Sequence, residues 1–515
     1  MLRIRNYFIT FAVVFAISSA YALIGTQDAK AQSTMGDLIQ RIEALESKGG
    51  GGNVTAPKIK GIKMGGSIRH RFELQHEFGN FPAGGLGAPV TDSAADDYTE
   101  DFTVQRVRLY FDLDVNENVR GFIKFQDVRT WGREETQATA YSAGSGTVGN
   151  LGRVDLLEGY AEVKSFGFIT PALENVSARV GRWQWFYGDH RLIGHLNWAN
   201  EGRSYDGMRV KWKKGGNWID LFGSQIDEYD TGSDAASGES DGRGRGGDHL
   251  LWGFYSHFNV TKGLILEPYM INRFESRDRN GNEGAATNGE HRWTFGARIA
   301  GKKIPSLPGV DFKLEQMLQT GDTELTTDTR DRDIDAFAGA WGAGYTFSNV
   351  AWSPRVGYQY AYAEGDDNPT DNDNDTFDHL FPTGHARLGY MDVHGFQNIQ
   401  AHKIELAAKP TKKLLLKADL WFFKADEEVD NWYGVVGGSF GAGNTARKTN
   451  PATGANITDD EYGQEIDLVF KYKLLKNFGL AGGYSHYFVD DYIEDVRGGD
   501  DSGADWFWLQ TTLKF

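Results

Sequence analysis

Val107-Arg108-Leu109-Tyr110-Phe111-Asp112-Leu113-Asp114-Val115 alternates apolar and polar side chains over nine positions without a break. A β-strand sends successive side chains to opposite faces, so this segment has one apolar face and one wet face. The same period recurs on both sides of it. Ile68 to Gln75 sets Ile68, Phe72 and Leu74 against Arg69, Arg71, Glu73 and Gln75. Leu157 to Lys164 sets Leu157, Ala161 and Val163 against Glu158, Tyr160, Glu162 and Lys164. Met208, Val210 and Trp212 alternate with Arg209 and Lys211, and the last segment sets Phe507, Leu509, Leu513 and Phe515 against Gln510, Thr512 and Lys514.

Taking strands of ~10 residues, about eighteen such segments fit between 58 and 515. They start near 60, 102, 119, 154, 176, 207, 217, 249, 264, 291, 310, 334, 353, 398, 413, 461, 478 and 506. Sixteen is the alternative count, because 176–185 and 217–225 alternate weakly. The links between segments alternate in length. Asn116 to Asn118, Lys213 to Gly216, Thr261 to Gly263 and Leu475 to Asn477 are short and read as periplasmic turns. Gly79 to Asp101, Gly232 to Asp248, Gly365 to Gln397 and Asp426 to Asp460 are long, rich in Gly, Asp, Asn and Ser, and read as surface loops.

Two arginines, Arg3 and Arg5, precede an apolar run from Tyr7 to Ile24, and Ala29-Lys30-Ala31 places small residues where a leader is cut. This is the pattern of a secretory signal peptide over 1–31, with a cut after Ala22 as the alternative and a membrane-anchor helix as the competing reading. No later stretch reaches the ~20 apolar residues that an α-helical span requires, so a mature chain that enters a membrane does so as strands. Residues 32–57 hold Met35, Leu38, Ile42 and Leu45 at heptad spacing over 35–48, then a glycine linker from Gly49 to Gly52. Two heptads are too short to be stable alone, so a helix there forms by associating, which makes 35–48 a candidate for homo-oligomer contact.

The 515 residues include 65 Gly and 12 Pro, with 13% aromatics and no Cys. Disulfides and thiolate metal sites are thereby excluded, and a closed ladder of backbone hydrogen bonds takes their place. A net charge of −17 argues against a nucleic-acid partner. The mean hydropathy of −0.48 is compatible with a barrel, in which lipid-facing and lumen-facing residues average out. The expected fold is therefore all-β: a transmembrane antiparallel barrel over 58–515.

Trp506-Phe507-Trp508 and the final Phe515 resemble the C-terminal signature of bacterial outer-membrane proteins, and aromatic residues at strand ends suit the interfacial girdle. The localisation this implies is the outer membrane of a Gram-negative-type bacterium, with outer-membrane lipid as a partner. The run Val180 to Trp212 carries Gly181-Arg182, Tyr187-Gly188-Asp189, Arg191-Leu192-Ile193-Gly194, Trp198-Ala199-Asn200 and Gly202 to Gly207. It resembles the alginate-export family of outer-membrane barrels. Phe122 to Trp131 and Phe377 to Asp392 carry supporting likenesses. The resemblance implies a single-chain barrel, typically of eighteen strands, with an arginine-lined pore for an anionic polysaccharide. By position the matching candidates are Arg182, Asp189, Arg191, Asn200, Arg203 and Asp206. The heptads and glycine linker are not part of that family pattern.

The residues themselves tell a compatible story. Between 101 and 215 there are 16 Lys+Arg against 14 Asp+Glu in a chain whose balance is −17. Arg106, Arg108, Arg120, Lys124, Arg209 and Lys211 fall on the polar parity of their segments and are expected in the lumen; Arg129 is counted with them as a pore candidate. Guanidinium groups bind carboxylates in a fork, and a ladder of them selects anions. Two readings stand: these cations brace the wall by pairing with Asp112, Asp114, Glu158 and Glu162, or they brace it and also select the solute. Residues 186–206 carry Phe186, Tyr187, Leu192, Ile193, Leu196 and Trp198, too much apolar surface for a plain surface loop, so this loop is expected to fold inward and narrow the pore.

Asp371, Asp373 and Asp375 are weak Ca²⁺ candidates, but a calcium loop's glycine is missing and a solvated acidic loop is the plainer reading. That loop would repel anions from the outer mouth. No nucleophile elbow or zinc motif occurs, so neither an enzyme nor a cofactor is expected. The sequence thus points to a passive channel for anionic solutes; the alternative is a structural or adhesive barrel whose acidic loops bind a partner or Ca²⁺.

Overall fold

Each strand inverts the pattern of a water-soluble sheet. In the first, Arg69, Arg71, Glu73 and Gln75 are 0–5% exposed, whereas Leu74 among them is 38% exposed. In the second, Arg106 and Arg108 are buried and Leu109 is exposed. Trp252, Phe295, Leu318, Leu406, Phe422 and Leu468 continue the apolar outer face on other strands. Polar residues packed inward and apolar residues turned outward are stable when the outer face meets lipid and the backbone satisfies its own polar groups.

The computed structural model describes residues 59–77, 99–131, 154–226, 249–275, 289–324, 331–368, 370–435, 439–440, 457–497 and 499–515. The expected leader, heptad helix and glycine linker lie outside these residues. Two units divide the chain. One comprises Met1–Gly61 with Asp114–Glu117, in which Lys60 Nζ meets a Glu117 carboxylate oxygen at 3.0 Å. The other, Ile62–Leu113 with Asn118–Phe515, forms the barrel.

The strands run β1 Gly61–His76, β2 Thr99–Asp114, β3 Val119–Thr130, β4 Asp155–Val163, β5 Val176–Trp183 and β6 Tyr205–Lys214. They continue as β7 Asn217–Ile226, β8 His249–Thr261, β9 Leu264–Glu275, β10 Gly289–Lys302, β11 Val310–Glu324 and β12 Asp331–Thr346. The ring is completed by β13 Arg355–Ala363, β14 Ile399–Ala408, β15 Leu414–Lys424, β16 Glu461–Tyr472, β17 Phe478–Val489 and β18 Ala504–Lys514. Each starts within three residues of its expected position. Consecutive strands pair antiparallel, and β18 returns to β1 in register from Ser67 opposite Lys514 to His76 opposite Asp505, which closes the cylinder. A two-residue strand, Asp373–Asn374, adds parallel to Asp333 and Ile334 of β12. Asp491–Val496, capped by Asp490, forms a short helix between β17 and β18.

Two local departures come from parity. A bulge opposite Lys124 and Phe125 inserts Leu157 as an extra residue, so both Leu157 and Glu158 face inward. Trp506 and Trp508 share the parity of Gln510 and therefore pack inside the barrel; of that aromatic trio Phe507 alone faces outward, so the girdle expected from all three is not formed by them.

Candidate functional site

The link from β5 to β6, residues 184–204, turns into the lumen because its aromatic residues find partners on the inner wall. Trp185 packs on Phe222 of β7 with ring centroids 5.3 Å apart, and Tyr187 stacks on Tyr255 of β8 at 4.5 Å. Asp189 then meets Arg298 of β10 at 3.0 Å and Lys313 of β11 at 2.8 Å. Burial opposes the Asp189 charge, but Lys313 and Arg298 outweigh it and hold the carboxyl well below the usual range. A few residues further on, the chain is gripped from the other side. Arg69 donates to the carbonyls of Asn197, Trp198 and Ala199 at 3.0–3.2 Å, and Arg71 donates to Trp198 at 2.9 Å. Arg106 reaches the carbonyls of Asn197 and Ala199, and Arg108 reaches Glu201 O at 2.9 Å. β1 and β10 stand half the ring apart, so this loop crosses the lumen from wall to wall. The expected inward fold is what the structure has.

A second inward loop follows β13. Residues 365–397, expected at the surface, are largely buried: Phe377, Leu380, Met391, Val393 and Phe396 pack inside. Phe381 pairs with Ile193 of the first loop in an isolated parallel bridge, and Gly194 N donates to Phe381 O at 2.8 Å. Asp378 accepts from Arg273 of β9 at 2.6 Å, Glu465 of β16 accepts from Tyr390 N and Met391 N at 2.6 and 3.0 Å, and His394 meets Tyr487 of β17 at 2.8 Å. Among the described residues, five of the ten non-glycine residues with positive φ lie in these two loops, His190, Leu196, Leu380, Ala386 and Asp392, and a sixth, Asn398, directly follows the second. Such backbone persists where surrounding contacts over-determine it, which marks both loops as built features.

Apart from Asp189, Arg191 and Arg203, the expected site residues separate into three groups. Arg106, Arg108 and Asn200 form the anchor of the first loop; Asn200 is fully buried and accepts from Arg69. Arg120 pairs with Asp112 at 2.7 Å, Lys124 with Glu158, and Arg209 and Lys211 both with Asp220 at 3.7 and 3.2 Å. These four cations face the interior paired with three carboxylates, Arg209 and Lys211 sharing Asp220. Arg203 donates to Pro382 O at 3.0 Å and ties the two loops together. The third group is a correction by parity. Arg129 shares the outward face of Phe125 and pairs with Asp127 at 2.7 Å, and Arg182 and Asp206 pair across β5 and β6 at 3.0 Å on the face of Val180. They do not line the lumen, because even spacing from Trp183 and Tyr205, or from Gln126, is what reaches it.

Below the crossing loop, toward the short turns, lies a cavity of about 620 Å³. Eight Lys and Arg line it against four Asp and Glu. Arg298, Lys313, Arg355 and Lys403 have carboxylate partners. Lys302, Lys303 and Lys409 have none among the described residues, while buried Arg191 lies in the field of Glu315 and Asp189. Apart from Arg191, none of these eight belongs to the expected set. The other seven sit on strands or turns far apart in the chain, and ring closure brings them together. The outer mouth has the opposite sign. Burial pushes Asp366 and Asp375 up to about 6 and Glu427 to about 7, with Asp430 raising Asp366, Asp367 and Asp373 raising Asp375, and Asp426 raising Glu427. Among the described residues no group of three acids or histidines is arranged to hold a metal ion, and Asp371 instead accepts from Asp373 N at 2.9 Å.

These raised carboxyls carry a sign. Above pH 7 they are charged and repel anions; as pH falls through 7 and 6 they take up protons and the repulsion is lost. The anion-to-cation permeability ratio is expected to rise between pH 8 and pH 5. Zero-current potentials at the two pH values check this, and a ratio independent of pH would contradict it.

A lipid-facing cylinder around a charged lumen crossed by ordered loops defines an outer-membrane channel for the passive movement of solutes, set in a Gram-negative envelope. More narrowly, the chain belongs to the alginate-export family, whose sequence profile matches residues 62–503. No curated protein sequence matches it. Its fold is similar to that of OccK8 (OprE) of Pseudomonas aeruginosa, at 11% identity over 89% of this chain and 98% of that one, with a TM-score of 0.51. It is similar also to OccAB1 of Acinetobacter baumannii, at 13% identity over 90% of this chain and 99% of that one, again with a TM-score of 0.51.

Proposed function

We propose that this channel passes anionic solutes, with an acidic polysaccharide as the polymeric case, and that the cavity below the crossing loop is where their charge is met. The observation that carries this is the surplus of cations there: eight Lys and Arg line the space against four Asp and Glu, and Lys302, Lys303 and Lys409 make no ion pair among the described residues. Cations in a low-dielectric cleft focus their field and raise the local concentration of anions. Arg106 and Arg108 serve this indirectly, by positioning the loop. Arg120, Lys124, Arg209 and Lys211 brace the wall. No catalysis and no cofactor are involved, and the heptads at 35–48 supply a means for several barrels to associate.

The test is a charge reversal at three exposed positions, Lys302→Glu with Lys303→Glu and Lys409→Glu. In liposome-swelling assays, entry of an oligouronate is expected to fall about tenfold relative to a neutral oligosaccharide of the same length. An unchanged ratio would show that the charge of this cavity does not select the solute.

A further inference from the structure

Trp185 and Tyr187 are both packed against the inner wall, so the residue between them points the other way. Phe186 is 51% exposed, on a loop that crosses the lumen. His190 and His195 stand 4.7 and 4.8 Å from its ring and 5.1 Å from each other. Three centroids at these distances form a nearly equilateral triangle. The two imidazoles thus sit next to each other against one part of the Phe186 ring, and the rest of that ring stays open to the lumen. His190 is held in that place by a positive φ of 61° and by its carbonyl, which accepts from Thr383 N of the second loop at 2.9 Å.

The surroundings are charged but not closed. Burial, and next the charge of Arg387, lower the His190 pKa to about 4; burial, with Arg108 and Lys124 as the leading cations, brings His195 to about 4 as well. Both rings are thus neutral at pH 7, aromatic bodies with a polar edge. His195 Nδ1 has no hydrogen-bond partner. Arg387, on the second loop, has no ion pair among the described residues, and its Nε is unpartnered. A half-exposed aromatic ring with two neutral imidazoles beside it, and a guanidinium in the same stretch of lumen that makes no ion pair within contact distance among the described residues, match a ring with an apolar C–H face and a carboxylate substituent. An inorganic anion would use the cation and leave the aromatic face idle. The negative face of an aromatic ring attracts the weakly positive C–H groups of a sugar.

We propose that Phe186, backed by His190 and His195, is a stacking platform for the pyranose ring of an acidic sugar, with Arg387 as the cation for that sugar's carboxylate. The proposal rests on the anionic-solute reading and adds to it a means of telling a uronate from any other anion of equal charge.

The experiment compares two probes in planar bilayers holding the wild-type channel: a tetramer of glucuronic acid and tetraglutamate, matched in side-chain charge. The uronate is expected to block the current with dwell times about fivefold to tenfold longer than the peptide. Phe186→Ala should abolish that difference, and Phe186→Trp should retain it. Equal dwell times in the wild type with both probes entering, or a difference that survives Phe186→Ala, would overturn the platform and leave anion selection standing. Exclusion of both probes while a neutral tetrasaccharide enters would overturn anion selection itself, and the platform with it.

Discussion

Replacing Arg106 and Arg108 together by alanine is expected to convert small, steady current steps into larger and noisier ones. The two side chains donate five hydrogen bonds to the crossing loop: three from Arg106 to Asn197 and Ala199, and two from Arg108 to Asn197 and Glu201. Charge-assisted bonds contribute roughly 1.5–3 kcal/mol each, but the freed carbonyls regain water in the lumen. Counting only two of the five at the lower figure leaves about 3 kcal/mol, which shifts the ratio of released to held loop about a hundredfold. Arg69 and Arg71 still hold Asn197 to Ala199, so the loop is expected to fluctuate rather than to leave. Single-channel recording checks this. Conductance and noise equal to the wild type would show that these arginines do not hold the loop.

Glu465→Ala is expected to loosen the second loop to a similar degree. The Glu465 side chain is fully buried, and one of its oxygens accepts from two backbone amides, Tyr390 N and Met391 N. The loop backbone comes so close that a Cβ on Gly389 would lie 2.3 Å from the other oxygen. Without the carboxylate, two buried N–H groups lose their acceptor, at roughly 1–3 kcal/mol each. Hydrogen exchange by mass spectrometry over 384–398 should accelerate about a hundredfold or more, while the strands of the barrel keep their protection. Glu465→Gln retains an acceptor oxygen and should restore most of the protection. Unchanged exchange in Glu465→Ala would mean that other contacts, such as His394 with Tyr487, suffice to hold the loop.

The barrel was legible because its code is local. Period-two alternation sets both the strand and its inner face, and a run such as Val107 to Val115 shows both at once. The crossing loop was legible for a related reason: Trp, Tyr, Leu and Ile in a link cannot remain in water at no cost. The second loop was hidden by its own beginning. Asp366 to Asp375 reads as a solvated acidic segment, and that composition outweighs the apolar residues from Phe377 to Phe396 that carry it inward. Arg182 and Asp206 show the limit of motif likeness, since the family run gave their positions but not their face, and Arg129 was grouped with lumenal cations whose parity it does not share. Of the basic cavity, only Asp189 and Arg191 were legible. Lys302, Lys303 and Lys409 are ordinary cations near the ends of separate strands, and only the closed ring makes them neighbours of each other and of Arg191.

The account turns on a loop that spans the lumen between β1–β2 and β10–β11. Its most direct test is the single-channel conductance of the wild type beside a variant in which residues 187–203 are replaced by a short glycine-serine link. A severalfold larger conductance in the shortened variant is the predicted result. Equal conductance in the two, with both barrels folded, would contradict the crossing.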